Sequence, residues 1–339
     1  MSIEIHDASA TDELDDWNRH VERSSQGTVF HRLEFLRVLA RNSGTTIHPL
    51  VGYKGNAPVG IFPVFELSKF GVSAVFSPPP GLLVPFLGPA LCNFEQMSQR
   101  KQERRHERFV EGCFEWIEST IGPRYEHLRA SPGYDDIRPY SWNDFSSTPY
   151  YTYQVDLTQY DDGLLKAFSR SCRRNIRDAD PDRYEVTVGD EDAVGRIHNI
   201  IEDRYAEQDL GYPLEQAFLT DVYRELTADY VRPYQIFLDG KFVGGVLTVE
   251  AGDTIFRWQG AGYHDVDLPV NDILDWHIIE DAVGRDRTRY DLVGANTRRL
   301  TRYKAKFAPE LVPYYGLERG TPEMTVLASL YKRNPLNIL

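Results

Sequence analysis

Four features of this chain recur at a nearly constant distance, and that spacing constrains the fold more than any single motif. Gly27-Thr28-Val29-Phe30, followed by Phe35-Leu36 in a helical pattern, has a counterpart in Gly211-Tyr212-Pro213-Leu214 followed by Phe218-Leu219, at offsets of 184 and 183. Leu50–Gly55 and then Pro58–Val64 read as a strand, a turn and a strand. Gln235–Gly240 and then Phe242–Thr248 repeat that pattern, with Gly55 and Gly240 185 apart and Val59-Gly60 and Val243-Gly244 184 apart. One such match arises by chance. Four at 183–185 are better explained by two copies of one α/β unit, each running helix, loop, helix, hairpin. The 339 residues suffice for two domains. The expected division is 1–158 and 159–339, with a basic helix over 161–179 at the junction.

Hydrophobic periodicity predicts the remaining elements. Helices are expected over Asp12–Glu22, Leu33–Arg41 and Glu95–Thr120 in the first half, with strands at Tyr125–Arg129 and Tyr151–Asp156. In the second half, helices are expected over Asp192–Ala206, Leu214–Ala228, Asn271–Val283 and Arg298–Phe307. Strands are expected at Gln235–Leu238, Lys241–Glu250, Thr254–Gly262, Tyr290–Val293 and Leu311–Leu317. Phe70 to Phe94 has no charged residue, but it holds Pro78, Pro79, Pro80, Pro85 and Pro89. Prolines remove backbone donors, so this stretch is expected as a folded loop or short strands rather than a membrane helix. Lining a groove, touching a membrane surface and covering the core are all open to it.

The composition is that of a globular protein, and the net charge of −13 argues against broad nucleic-acid binding. Of 38 basic residues only 8 are Lys, and Asp outnumbers Glu by 28 to 23. Adaptation to a salty cytoplasm and an ordinary acidic cytosolic protein both fit these counts. The distribution carries more. Arg285–Lys306 holds eight basic residues against Asp286 and Asp291, a net +6, and Arg170–Arg177 holds four arginines and no acid. Those thirty residues carry +10 and the other 309 carry −23. Arg173 and Arg177 fall on one helical face with Arg174 beside them, and forked guanidinium groups suit phosphate. Pairing with Asp178, Asp180 and Asp182 is the structural alternative.

Cys92, Cys113 and Cys172 are too few and too scattered for a disulfide framework or zinc knuckle, and fit a reducing cytoplasm. The acidic N-terminus lacks the basic then apolar pattern of a signal peptide. The expected location is cytoplasmic, with peripheral membrane contact as an alternative. No P-loop, H-E-x-x-H, G-x-S-x-G or paired C-x-x-C is present, and the nine histidines show no ligand spacing, so no metal is expected. Gln259-Gly260-Ala261-Gly262 is a weak match to a glycine-rich phosphate loop.

The order of motifs resembles the FemABX-type and BioF2-like acyltransferases, a branch of the GNAT-fold superfamily. The residues that carry the resemblance are Trp258-Gln259-Gly260-Ala261, Pro269-Val270-Asn271 with Leu274 and Trp276, Tyr290-Asp291-Leu292-Val293-Gly294-Ala295, Tyr303-Lys304-Ala305-Lys306-Phe307 and Val312-Pro313-Tyr314. In the first half they are Gly27–His31, Val59-Gly60 with Pro63, and Gly88-Pro89; the central match is Ser171–Ala179. The resemblance implies an α/β (α+β) fold of two tandem GNAT-like domains, each a mixed sheet flanked by helices. It also implies acyl or aminoacyl transfer to an amine. Members that build peptidoglycan bridges use aminoacyl-tRNA as donor and place an aromatic-Lys pair, here Tyr303-Lys304, near the acyl ester. Nothing between Gly189 and Tyr234 is long enough for the helical arm that such members carry.

In this chemistry an amine attacks an ester or thioester carbonyl and an oxyanion develops, which a cation or amides stabilise. Lys304 is the candidate cation and Asp291 the candidate acceptor of the amine proton, with a structural carboxylate as its alternative role. Tyr303 is a candidate for stacking on a base; Arg173, Arg174 and Arg177, with Asn175, for holding phosphates; and Gln259, Asn271 and His31 for binding substrate. No tightly bound cofactor is expected, and acyl-CoA or aminoacyl-tRNA is the expected donor. The expected acceptor is an amine on a cell-envelope or lipid-linked precursor. The expected partners are a phosphorylated small molecule or lipid-linked substrate and a tRNA acceptor end. The alternatives are an acetyl-CoA-dependent N-acetyltransferase acting on a small amine and a non-catalytic module binding phosphoglycans or nucleotides.

Overall fold

The computed structural model describes residues 3–10, 12–95, 97–161 and 163–332. The chain forms two compact units, residues 1–150 with 313–339 and residues 151–312. In chain order the elements are β1 (Glu4–Asp7), α1 (Trp17–Glu22), α2 (Leu33–Ser43), β2 (Thr46–Lys54), β3 (Ala57–Lys69), β4 (Val72–Ser77), β5 (Ala90–Leu91), α3 (Gln99–Thr120), β6 (Tyr125–Arg129), α4 (Arg138–Ser141) and β7 (Ser146–Asp156). There follow α5 (Leu164–Ala167), α6 (Arg170–Asp178), β8 (Tyr184–Val188), α7 (Glu191–Ala206), α8 (Gln216–Tyr230), β9 (Val231–Leu238), β10 (Lys241–Ala251), β11 (Thr254–Gly262), α9 (Val270–Gly284), β12 (Arg289–Asp291), α10 (Arg298–Lys304), β13 (Glu310–Gly320) and α11 (Pro322–Lys332).

The two units share one strand plan. In the first the order is β1-β2-β3-β4-β6-β13 and in the second β8-β9-β10-β11-β12-β7. Each begins with antiparallel neighbours, has one parallel step (β4 with β6, β11 with β12), and closes on an antiparallel strand. Duplication explains this identity of order and polarity. The closing strands come from unexpected places: β13 at the C-terminal end pairs with β6, whereas β7, which precedes the second copy, pairs with β12. The sequence placed everything from 159 onward in the second copy; residues 313–332 pack with the first.

Expected elements that differ have physical reasons. The helix expected over 161–179 is two, because Phe168 is extended and Ser169 caps α6 by accepting a hydrogen bond from the Cys172 amide at 3.3 Å. Phe168 thereby buries its ring edge-on against Trp276 and Phe307. β1, β8 and α11 were not anticipated: β1 and β8 are only four and five residues long, and α11 follows the last expected strand. The uncharged stretch 70–94 forms β4 and β5, and Val84, Phe86 and Leu87 are fully buried, so it covers the core of the first unit. Among the described residues no helix is long and apolar enough to cross a membrane.

The second unit is a sheet with helices on both faces. An alanine Cβ at Gly244 would meet Val270 of α9 at 2.5 Å, and one at Gly245 would meet Ile197 of α7 at 2.5 Å. Successive strand residues face opposite sides, so α7 and α9 cover opposite faces of β10. Both helices lie close enough to require glycine beneath them.

Candidate active site

The parallel pairing of β11 with β12 lasts three residues, Thr254–Phe256 against Arg289–Asp291. β12 then ends while β11 continues to Gly262, so the sheet opens on that side of β11. At the same place the ladder between β10 and β11 slips: Thr248 faces Arg257 and Leu247 faces Gln259, leaving Trp258 as an extra residue. Such a bulge re-aims side chains and frees backbone groups from the ladder. Arg257 and Gln259, two residues apart, would share a face in a regular strand; here they serve different elements. Arg257 donates to Asp275 at 2.7 Å and Asn271 at 3.2 Å, both on α9. Gln259 accepts from the Tyr212 hydroxyl at 3.0 Å, in the loop between α7 and α8. Gly260–Gly262 continue the β11 ladder, so the glycine run is strand and not a phosphate loop.

Lys304 ends α10 and is buried. Its amine donates to the carbonyls of Val293 and, at 2.8 Å, Gly294. Burial, with the nearby Arg257 charge, pushes its pKa down to about 7 against the pull of Asp291 and Asp275. A neutral amine with both N–H groups engaged in this way has a free lone pair; an ammonium has one free N–H. Asp291 is fully buried and accepts from the Thr152 hydroxyl at 2.5 Å, the Gln154 amide at 3.1 Å and the Val293 backbone N–H at 2.8 Å. Burial raises its pKa despite these bonds. Its oxygens are committed to holding β7 and the turn after β12.

Tyr303 donates its hydroxyl to Asp275 at 2.6 Å, and the Lys306 ammonium lies 3.9 Å from its ring centroid. That ring face is occupied, unlike the open stacking surface the sequence suggested. Lys306 also pairs with Asp272, whose other oxygen accepts from Asn175 at 2.7 Å. Asn175 therefore belongs to a buried carboxylate in the first turn of α9. Three amides at that end are engaged as well: Val270 donates to Leu268, and Asp272 and Ile273 to Pro269.

The two basic windows touch where Lys306 shares Asp272 with Asn175, but the start of the second lies elsewhere. Arg285 and Arg287 ion-pair with Glu250, which is 1% exposed, so part of the Arg285–Lys306 window is spent on one buried carboxylate at the C-terminal end of α9. α6 lies near the other end, where a cavity of about 410 Å³ is lined by Arg174, Asn175, Arg183, Asp178 and Asp267. Fifteen residues of helix put roughly 20 Å between these ends, too far for one phosphate group. Arg173 donates to the Lys166 carbonyl, Arg174 pairs with Asp178 at 3.3 Å, and Arg177 is exposed. His31 belongs to the first unit and is fully buried, its ring engaging Thr28 and the Gly88 carbonyl; burial drives its pKa down to about 4. It has no polar edge left for a ligand. Among the described residues no cluster is placed to hold a metal ion.

Residues 166–305 match the Acetyltransferase (GNAT) domain family. The fold resembles FemX, with 11% identity over 89% of this chain and 95% of that one and a TM-score of 0.71. It also resembles the C-terminal DUF2156 domain of a protein from Agrobacterium fabrum provisionally named lysylphosphatidylglycerol synthetase (14% identity, 95% of this chain and 96% of that one, TM-score 0.59). A third resemblance is to a tandem GNAT protein from the clavulanic acid biosynthesis pathway (10% identity, 94% and 98%, TM-score 0.51). No curated protein sequence matches the chain. These matches define the class, an acyltransferase of GNAT fold. Within it, the fold of the chain is like that of FemX.

Proposed function

We propose that the protein moves an aminoacyl or acyl group from an oxygen ester, rather than from acyl-CoA, to an amine of a cell-envelope or lipid-linked precursor. The observation that carries this reading is Asp272. A helix N-terminus that receives a pyrophosphate presents free amides and a positive dipole end. The N-terminus of α9 instead holds a buried carboxylate, with the amides of Val270, Asp272 and Ile273 bonded to the preceding loop. The glycines that resemble a phosphate loop are strand. The name of the second neighbour, a lysylphosphatidylglycerol synthetase, supports the aminoacyl and lipid part of this reading.

Our reading of the reaction assigns roles as follows. The acceptor amine attacks the ester carbonyl where the sheet opens beside β11. The developing oxyanion meets backbone N–H groups freed at the Trp258 bulge. Lys304, neutral for much of the time near pH 7, takes the proton the amine loses and returns it to the departing ester oxygen. Asp291 holds the loop beneath Lys304 rather than receiving the proton itself. Exposed Arg174 and Arg177 remain for phosphates of the donor. Gln259, fixed by Tyr212, orients the acceptor.

The test compares thermal stabilisation by acetyl-CoA with that by a 3′-aminoacyl-adenosine. A ligand at a hundred times its Kd adds about 2.7 kcal/mol. Stabilisation by the ester and not by acetyl-CoA is expected; the reverse overturns the choice of donor. Lys304→Ala should abolish transfer while leaving ester binding intact.

A further inference from the structure

Asp275 is fully buried in α9 and accepts hydrogen bonds from three other elements. Arg257 of β11 at 2.7 Å and the Tyr290 hydroxyl of β12 at 2.6 Å reach one oxygen; the Tyr303 hydroxyl of α10 at 2.6 Å reaches the other. The reaction proposed for Lys304 uses none of these groups directly, yet burying so many polar groups away from water is costly unless they are fully paired. α10 supplies a reason for them. It has seven residues and no side-chain cap, and it follows a turn in which Val293 and Gly294 both have positive φ. A helix that short has little stability of its own, so the position of Lys304 is set by tethers. The tether next to Lys304 in sequence is Tyr303 on Asp275.

We propose that Arg257 and Asp275 are positioning residues for Lys304, anchoring through Tyr303 the segment that carries the amine and fixing a guanidinium within the same buried cluster. This rests on the reading of Lys304 as the group that moves the proton. The charged groups that act on the amine are Arg257 from β11, Asp275 from α9 and Asp291 from β12, and the Tyr290 and Tyr303 hydroxyls meet Asp275. The two carboxylates favour the ammonium. Burial and the like charge of Arg257 favour the neutral amine and prevail. Arg257 is itself held charged by Asp275, although burial opposes it.

The experiment measures the acetylation of Lys304 by acetic anhydride against pH, by mass spectrometry, in the full chain and in Arg257→Met, Arg257→Lys and Tyr303→Phe. Folding is checked by a cooperative thermal melt. The wild-type midpoint is expected near 7. Arg257→Met should raise it by about one pH unit, and Arg257→Lys, which restores the charge, should bring it back. Tyr303→Phe should speed labelling several-fold at fixed pH without moving the midpoint much, because it loosens the segment and leaves Arg257 in place. Folded variants with an unmoved midpoint in Arg257→Met and unchanged labelling in Tyr303→Phe overturn the proposal. If labelling responds as expected but Lys304→Ala still transfers acyl groups, the catalytic reading of Lys304 falls and the positioning stands.

Discussion

Lys304 and His48 are shifted in opposite directions, and each predicts a pH dependence. A lysine depressed to about 7 is protonated below that value, so transfer should rise with pH through about 7 and then level off. A rate profile measured under saturating donor checks this; a rate that falls through the same range assigns the ammonium form instead. His48 lies between Asp7 at 2.9 Å and Glu66 at 3.2 Å. Burial opposes its charge, but the two carboxylates outweigh it and the pKa is raised. The stability this adds is present below the unfolded value of about 6.5 and is lost as pH rises through the folded value. His48→Gln should therefore lower the melting temperature at pH 6 and matter less at pH 9. The sequence singled out the Tyr303-Lys304 pair and, separately, Asn175 beside the arginines of the basic helix, but neither Arg257 nor Asp275. The available signal was a lone arginine between Phe256 and Trp258, with Asp272 and Asp275 three apart among Val270, Ile273 and Leu274.

The elements that place these side chains depend on close approach and on caps. Gly245 lets α7 rest on β10; an added Cβ would lie 2.5 Å from Ile197 and 2.9 Å from the Tyr234 carbonyl. Backbone cannot give way there, so Gly245→Ala should cost about 1–3 kcal/mol in denaturant unfolding. Asp190 caps α7 by accepting a hydrogen bond from the Asp192 amide at 3.2 Å, and Asp190→Ala should cost about 1 kcal/mol in the same measurement. Helices with strong periodicity, such as α2 and α3, lie within a few residues of their predicted bounds. The β11 bulge was not legible, because a bulge arises from the meeting of two strands and leaves no fixed residue pattern in either.

For the whole molecule, the exchanged closing strands make a specific prediction. A fragment spanning 151–312 contains every strand of the second unit that it needs, including the β7 residues that pair with β12, and should melt cooperatively. The fragment 159–339 lacks β7 and should expose the β12 edge, giving an insoluble or molten product. Circular dichroism melts of the two fragments decide between them. The sequence by itself determined that there are two copies and that each is mixed α and β, because local periodicity, repeat spacing and motif order are carried along the chain. Only the tertiary structure decided which strand completes which unit, that His31 and Glu250 absorb polar groups the site does not use, and that the first turn of α9 holds a buried carboxylate paired with Lys306 and Asn175. These depend on pairings between residues far apart in the chain, and hydrogen-bond satisfaction of buried groups is a property of the packed fold.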